Sequence, residues 1–129
     1  MPRFVLLEHT AAPDDPAGRH FDLLLEPPGD SAAGCRTWRL AAVPAAGGGA
    51  VPAAEVAPHR PAWLDHEAGD VSGGRGFARR VDAGDYEPLA LDADDLAAAT
   101  RLVLHVAGDL LAGRLRLTAG DDGWTARLD

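Results

Sequence analysis

The sequence predicts an all-β domain, a barrel or a sandwich, on three observations. Short runs alternating polar and apolar residues recur along the whole chain. Clusters of Gly, Pro and Asp separate those runs at regular intervals. A helical pattern arises at only one place, residues 92–99, where an acidic first turn (DADD) precedes alanines.

The first strand is predicted over residues 3–9 (RFVLLEH). The connection 10–19 (TAAPDDPAGR) carries two prolines and a glycine and reads as a loop. Residues 20–26 (HFDLLLE) form the second strand, stopped by Pro27-Pro28-Gly29-Asp30. Alternation sends His20 and Asp22 out of one face and Phe21, Leu23 and Leu25 out of the other. A third strand is predicted at 36–42, with Trp38 and Leu40 on a shared face, and Cys35 in the turn before it. Residues 43–58 (VPAAGGGAVPAAEVAP) hold too few large side chains to order themselves and predict a flexible surface connection.

An extended segment, 59–67 (HRPAWLDHE), then leads to the bend Ser72-Gly73-Gly74-Arg75-Gly76. A strand at 77–82, a turn at Ala83-Gly84-Asp85 and a further extended piece from Tyr86 to Leu89 follow. The tail contributes three strands, at 101–106, 113–118 and 123–128. No internal repeat is present.

At 129 residues the chain makes one domain, able to bury roughly two-thirds of its unfolded surface without disulfides. Aromatics are only 5%, so the core must rest on Leu, Val and Ala. The single cysteine, Cys35, excludes an intrachain disulfide and fits a reducing compartment. With no secretory pattern and no long apolar run, a soluble cytoplasmic protein is expected, with no membrane partner. The net charge of −8 argues against broad, sequence-independent nucleic-acid binding. It leaves open the recognition of a nucleic-acid end by a few arginines and a metal.

Three constellations carry chemistry. Folding the first two strands into an antiparallel hairpin returns His9 to the side of His20, so that His9, His20 and Asp22 converge at one rim. Two imidazoles and a carboxylate suit a divalent transition metal, manganese or zinc, with positions left for substrate. Charges lining a solvated rim would produce the same spacing. The segment His59 to Glu67 collects two histidines, two acids and an arginine. A charged edge strand, which discourages edge-to-edge pairing, is the structural alternative. The glycine-rich bend lacks a P-loop's Lys and Ser/Thr, so its glycines read as turn geometry. Arg75 within it carries a planar fork suited to phosphate oxygens. His105, in an alternating strand, is set aside, and no serine-triad signature occurs.

In this order these pieces resemble the 3′-phosphoesterase module of bacterial DNA ligase D, and in particular its short free-standing relatives. The matching residues are FVLLEH at 4–9, HFDLLLE at 20–26, TWRL at 37–40, HRPAWLDHE at 59–67 and SGGRGFARRVDAGDY at 72–86, with a terminal strand containing Trp124. The resemblance implies a compact β-barrel of about eight strands with short flanking helices. It implies manganese-dependent removal of 3′-phosphates or 3′-ribonucleotides from nucleic-acid ends, and ligase or polymerase partners in repair. It assigns His9, His20 and Asp22 to the metal, His59 to the scissile phosphate, and Trp63 to the place of a family tyrosine.

Two departures bear on activity. Leu24 stands where the ligase-linked enzymes carry a phosphate-gripping arginine, a role that Arg75 is expected to take over. Ala57 and Pro58 replace an acidic residue before His59. A second reading is therefore a catalytically weakened or inactive barrel that binds metal and serves as an interaction module in end repair. A third is a cupin-like iron oxygenase, which also uses two histidines and a carboxylate on a barrel.

Overall fold

The computed structural model describes residues 1–29 and 34–129. Asp30, the last residue of the stop signal after the second strand, lies outside the described residues. Nine strands are present among them: β1 (Arg3–Thr10), β2 (Arg19–Leu25), β3 (Cys35–Leu40), β4 (Val51–His59), β5 (Ala68–Asp70), β6 (Phe77–Leu91), β7 (Arg101–Ala107), β8 (Ala112–Gly120) and β9 (Gly123–Leu128). Eight of them close an antiparallel barrel in the order β1-β2-β3-β4-β9-β8-β7-β6, with β6 returning to β1. Closure leaves no long unpaired edge among the described strands. The short β5 and the longer β7 occupy one edge of β6 in succession, β5 beside Phe77–Arg79 and β7 from Asp85 onward.

Alternation decides which side chains fill the barrel. Phe4 and Leu6 on β1, Phe21, Leu23 and Leu25 on β2, and Trp38 and Leu40 on β3 all point inward. There they meet Tyr86 and the leucines of β7, β8 and β9. The opposite faces of the first strands are also buried. Val5, Leu7, Leu24 and Cys35 form a second apolar cluster outside the barrel, capped by Leu64 and flanked by Trp63. The short 3-10 helix Pro61–Asp65 supplies that cap. β1 and β2 are therefore fixed from both sides, and their outward residues stand on a rigid floor.

The structure corrects several local expectations. Residues 51–58 of the supposed flexible connection, with His59, form β4, paired with β3 along its length and with β9 at its start. Backbone hydrogen bonds, rather than bulky side chains, order this Ala- and Pro-rich strand. Composition reports only the side chains. The expected turn at Ala83–Asp85 lies within the 15-residue strand β6. Gly84 is where a Cβ would come within 2.2 Å of the Ala107 carbonyl oxygen, so the glycine serves close strand approach rather than a turn.

The helix expected at 92–99 is a series of turns. Asp92 accepts hydrogen bonds from the backbone N–H groups of Thr100 and Arg101, and Asp95 accepts one from Ala98. Such local acceptors compete with helical pairing. Leu96 and Ala99 instead seal the barrel core. Of the flanking helices expected, the described residues contain only the five-residue 3-10 helix, started by Pro61 within the segment expected to be extended. Cys35 opens β3 and is fully buried rather than lying in a turn.

Candidate metal centre and cleft

His9 and His20 are directly opposed partners in the β1–β2 ladder. Asp22 stands one outward position along β2 from His20. The three side chains thus meet on the outer face of the barrel, over the floor built by Leu7 and Leu24. The His9 and His20 rings lie 4.8 Å apart, edge to face. Asp22 Oδ2 is 3.6 Å from His9 Nδ1 and 3.3 Å from His20 Nε2.

The far nitrogen of each imidazole is committed elsewhere, which sets its tautomer. His9 Nε2 is 2.7 Å from the Arg75 carbonyl oxygen, an atom that can only accept, so Nε2 carries the proton. His20 Nδ1 is 2.8 Å from Asp15 Oδ2 and donates to it. In the neutral rings, His9 Nδ1 and His20 Nε2 are then lone pairs, and both face a carboxylate oxygen. Three acceptors converge with no donor between them. His20 Nε2 and Asp22 Oδ1 are buried and lack a hydrogen-bond partner among the described residues. Lone pairs opposed in this way repel unless a proton or a metal ion lies among them.

The donor set fits a metal. At a metal–ligand distance of about 2.1 Å, neighbouring donors stand about 3 Å apart. One ligand atom from each residue can be chosen so that all lie within 4.8 Å of one another. Small rotamer adjustments close the remainder. Outer partners that orient the imidazoles, here Asp15 and the Arg75 carbonyl, are the usual support of such ligands.

Burial alone would lower the His20 pKa, but Asp22 and Asp15 together outweigh it and hold the value above the ordinary imidazole range. The metal-free site therefore holds its proton to higher pH than a free imidazole does, and where the proton is held an arriving ion must displace it. Without metal, that protonated cluster contributes stability at pH below the usual imidazole pKa. The contribution is lost as pH rises through the elevated folded value. Asp15 is held below the usual carboxylate range by its bond to His20.

The glycine-rich bend is the device that brings in the Arg75 carbonyl. Its Val71 N–H closes onto the Gly76 carbonyl. Gly76 has φ +94° and packs so tightly that a Cβ would lie 2.2 Å from the Thr10 carbonyl oxygen. Only glycine fits there. The Arg75 side chain turns back on the bend, with Nε donating to the Ser72 carbonyl at 2.7 Å and an Nη donating to Ser72 Oγ at 3.0 Å.

His9 and Asp22 of the trio line a cleft of about 570 Å³ whose wall also includes His59, Trp63, Arg75, Arg39 and Asp14. His59, the last residue of β4, is a register partner of Cys35 and lines the cleft together with Asp22. Burial lowers its pKa more than Asp22 raises it, so at neutral pH the ring is uncharged. Trp63 contacts the His59 ring on one side and the His66 ring on the other, at centroid distances of 6.1 and 4.6 Å. His66 is tied to the Ala78 carbonyl and braces the indole.

All six residues singled out in the sequence, His9, His20, Asp22, His59, Trp63 and Arg75, thus gather in one region. Sequence reasoning missed two others. Asp15 lies in the 10–19 connection, where its role depends on how the loop folds back. Arg39 is the direct cross-strand partner of Asp22. The alternation that sends Trp38 and Leu40 inward sends Arg39 outward, and pairing β2 with β3 in register would have located it.

Asp15→Ala is expected to weaken manganese affinity by roughly 10- to 100-fold while the barrel stays folded. Calorimetric titration with Mn²⁺ measures this directly. An affinity equal to the parent's would show that His20 needs no such partner.

Among the described residues no helix is long and apolar enough to cross a membrane. No protein-family model matches the sequence, and no curated protein matches it.

Proposed function

We propose that this protein is a metal-dependent phosphoesterase that removes a phosphate or a terminal ribonucleotide from nucleic-acid 3′ ends, as the resemblance to the ligase D module implies. One observation carries the reading. Three lone-pair donors, oriented by their own outer partners, converge beside a cleft that also holds an uncharged imidazole and several arginines. In a chain of net charge −8, that local concentration of arginine favours an anionic substrate. It also favours phosphate chemistry over an iron oxygenase, which has no need of cationic walls.

His9, His20 and Asp22 would hold the ion, manganese or zinc. Such an ion supplies Lewis-acid neutralisation of a phosphoryl oxygen. His59, which lines the same cleft, would hydrogen-bond a second oxygen and exchange a proton at the 3′ leaving oxygen. Trp63 offers a braced aromatic face on which a terminal base can stack. Arg75 reaches the cleft from the glycine-rich bend, although two of its donors are engaged by Ser72.

The inactive or weakened barrel is the second reading, and Leu24 favours it. That side chain is fully buried in the outer cluster, so no cation projects from its position.

The deciding experiment incubates the protein with Mn²⁺ and primer–templates ending in a 3′-phosphate or a single ribonucleotide. Release of phosphate or nucleoside that falls at least a hundredfold in His20→Ala is the expected result. Metal binding without turnover on any such end would replace the enzyme with the binding module.

A further inference from the structure

We propose that Arg39, not a residue of β2, grips the substrate phosphate in this protein, and that the Asp14 carboxylate occupies its fork until an anion arrives. For its substrate the assignment rests on the phosphoesterase reading. Its geometry is independent of it.

Arg39 stands on the central, doubly paired strand β3, directly across the ladder from Asp22. It lines the same cleft as His9, Asp22 and His59. The β2–β3 register sets it beside the metal trio, and the cleft wall it belongs to also carries His59. A phosphoryl group held at the trio would enter that same cleft.

The guanidinium is also incompletely satisfied. Its Nε is buried and has no acceptor among the described residues. Its side-chain ion pair is to Asp14, at 3.4 Å from an Nη atom. Asp14 is 72% exposed and belongs to the connection between β1 and β2. An exposed ion pair of that length is weak and readily exchanged. A phosphate dianion offers more charge and more acceptor oxygens than the carboxylate, and a planar fork binds it through paired hydrogen bonds.

The other arginines of the cleft are less suited. Arg75 spends two donors on Ser72. Arg60 lies on the connection leading into the 3-10 helix rather than on the rigid sheet. Position 24 is closed, because Leu24 is packed among Val5, Leu7, Cys35 and Leu64. Arg39 therefore delivers the cation from the neighbouring strand.

The test titrates inorganic phosphate into the manganese-loaded protein by calorimetry, with Mn²⁺ titrations of the same variants. Arg39→Ala should weaken phosphate binding at least tenfold, and Arg39→Lys, which keeps the charge without the fork, should fall between it and the parent. Asp14→Asn should tighten phosphate binding severalfold. Manganese affinity should be retained or improved in all three.

Phosphate binding unchanged in both Arg39 variants, or absent from the parent, overturns the assignment. A loss of manganese affinity in step with phosphate affinity would likewise reduce Arg39 to a structural role. Unchanged affinity in Asp14→Asn overturns the placeholder. Arg39-dependent phosphate binding without turnover on any 3′ end would sink the enzymatic reading and leave the anion site standing.

Discussion

Asp22→Asn is expected to reduce manganese affinity by more than a hundredfold and to abolish any metal-dependent turnover. Asp22 supplies the only negative charge among the three ligands, and its Oδ2 is the atom both imidazoles face. Removing an outer partner of a metal ligand already costs roughly 10- to 100-fold, so neutralising the ligand itself should cost more. The metal-free variant should remain folded. A buried carboxylate with an unpartnered Oδ1 is itself a burden, which the amide relieves in part. Thermal unfolding with and without Mn²⁺ separates the two effects. The parent's transition should rise with metal by mass action, while that of the variant should not move. A variant that bound manganese like the parent would show that the ion, if any, sits elsewhere.

Trp38→Ala should produce the largest loss of stability, about 3–5 kcal/mol. Trp38 is fully buried and packs edge to face against Trp124 at 5.4 Å, with the Arg36 guanidinium over its ring at 4.7 Å. It thereby joins β3 to β9 across the barrel. In a chain with so few aromatics, little else could refill the space. Urea unfolding measures the loss, and a change below about 1 kcal/mol would mean that the barrel collapses around the cavity. Because Trp38 points inward and the metal trio outward, the folded fraction of this variant should bind manganese normally. Stability and metal affinity should therefore vary independently between the two mutants.

The contrast with Arg39, the next residue along, shows how one strand divides its labour. Trp38 contributes to the barrel interior, and Arg39 to the cleft on the outside. Neither substitution should reproduce the effect of the other.

Local pattern alone was enough for the all-β class, for most strands of the barrel and for the inward faces of β2 and β3. Period-two alternation is a direct consequence of strand geometry and survives any arrangement of the sheet. The meeting of His9 with His20 was legible for the same reason, since a hairpin has few registers that keep Phe21, Leu23 and Leu25 in a core. Where backbone pairing rather than side-chain content does the ordering, as in β4, composition pointed to a flexible connection instead of a strand. At Asp92 and Asp95 a helical composition was overruled by carboxylates that satisfy nearby N–H groups.

Closure of eight strands, the burial of Leu24 under the 3-10 helix and the place of Asp15 and Arg39 beside the trio were decided by tertiary structure. Each depends on contacts between segments distant in the chain. Loop path and strand order determine such contacts, and neither leaves a periodic trace in the residues themselves.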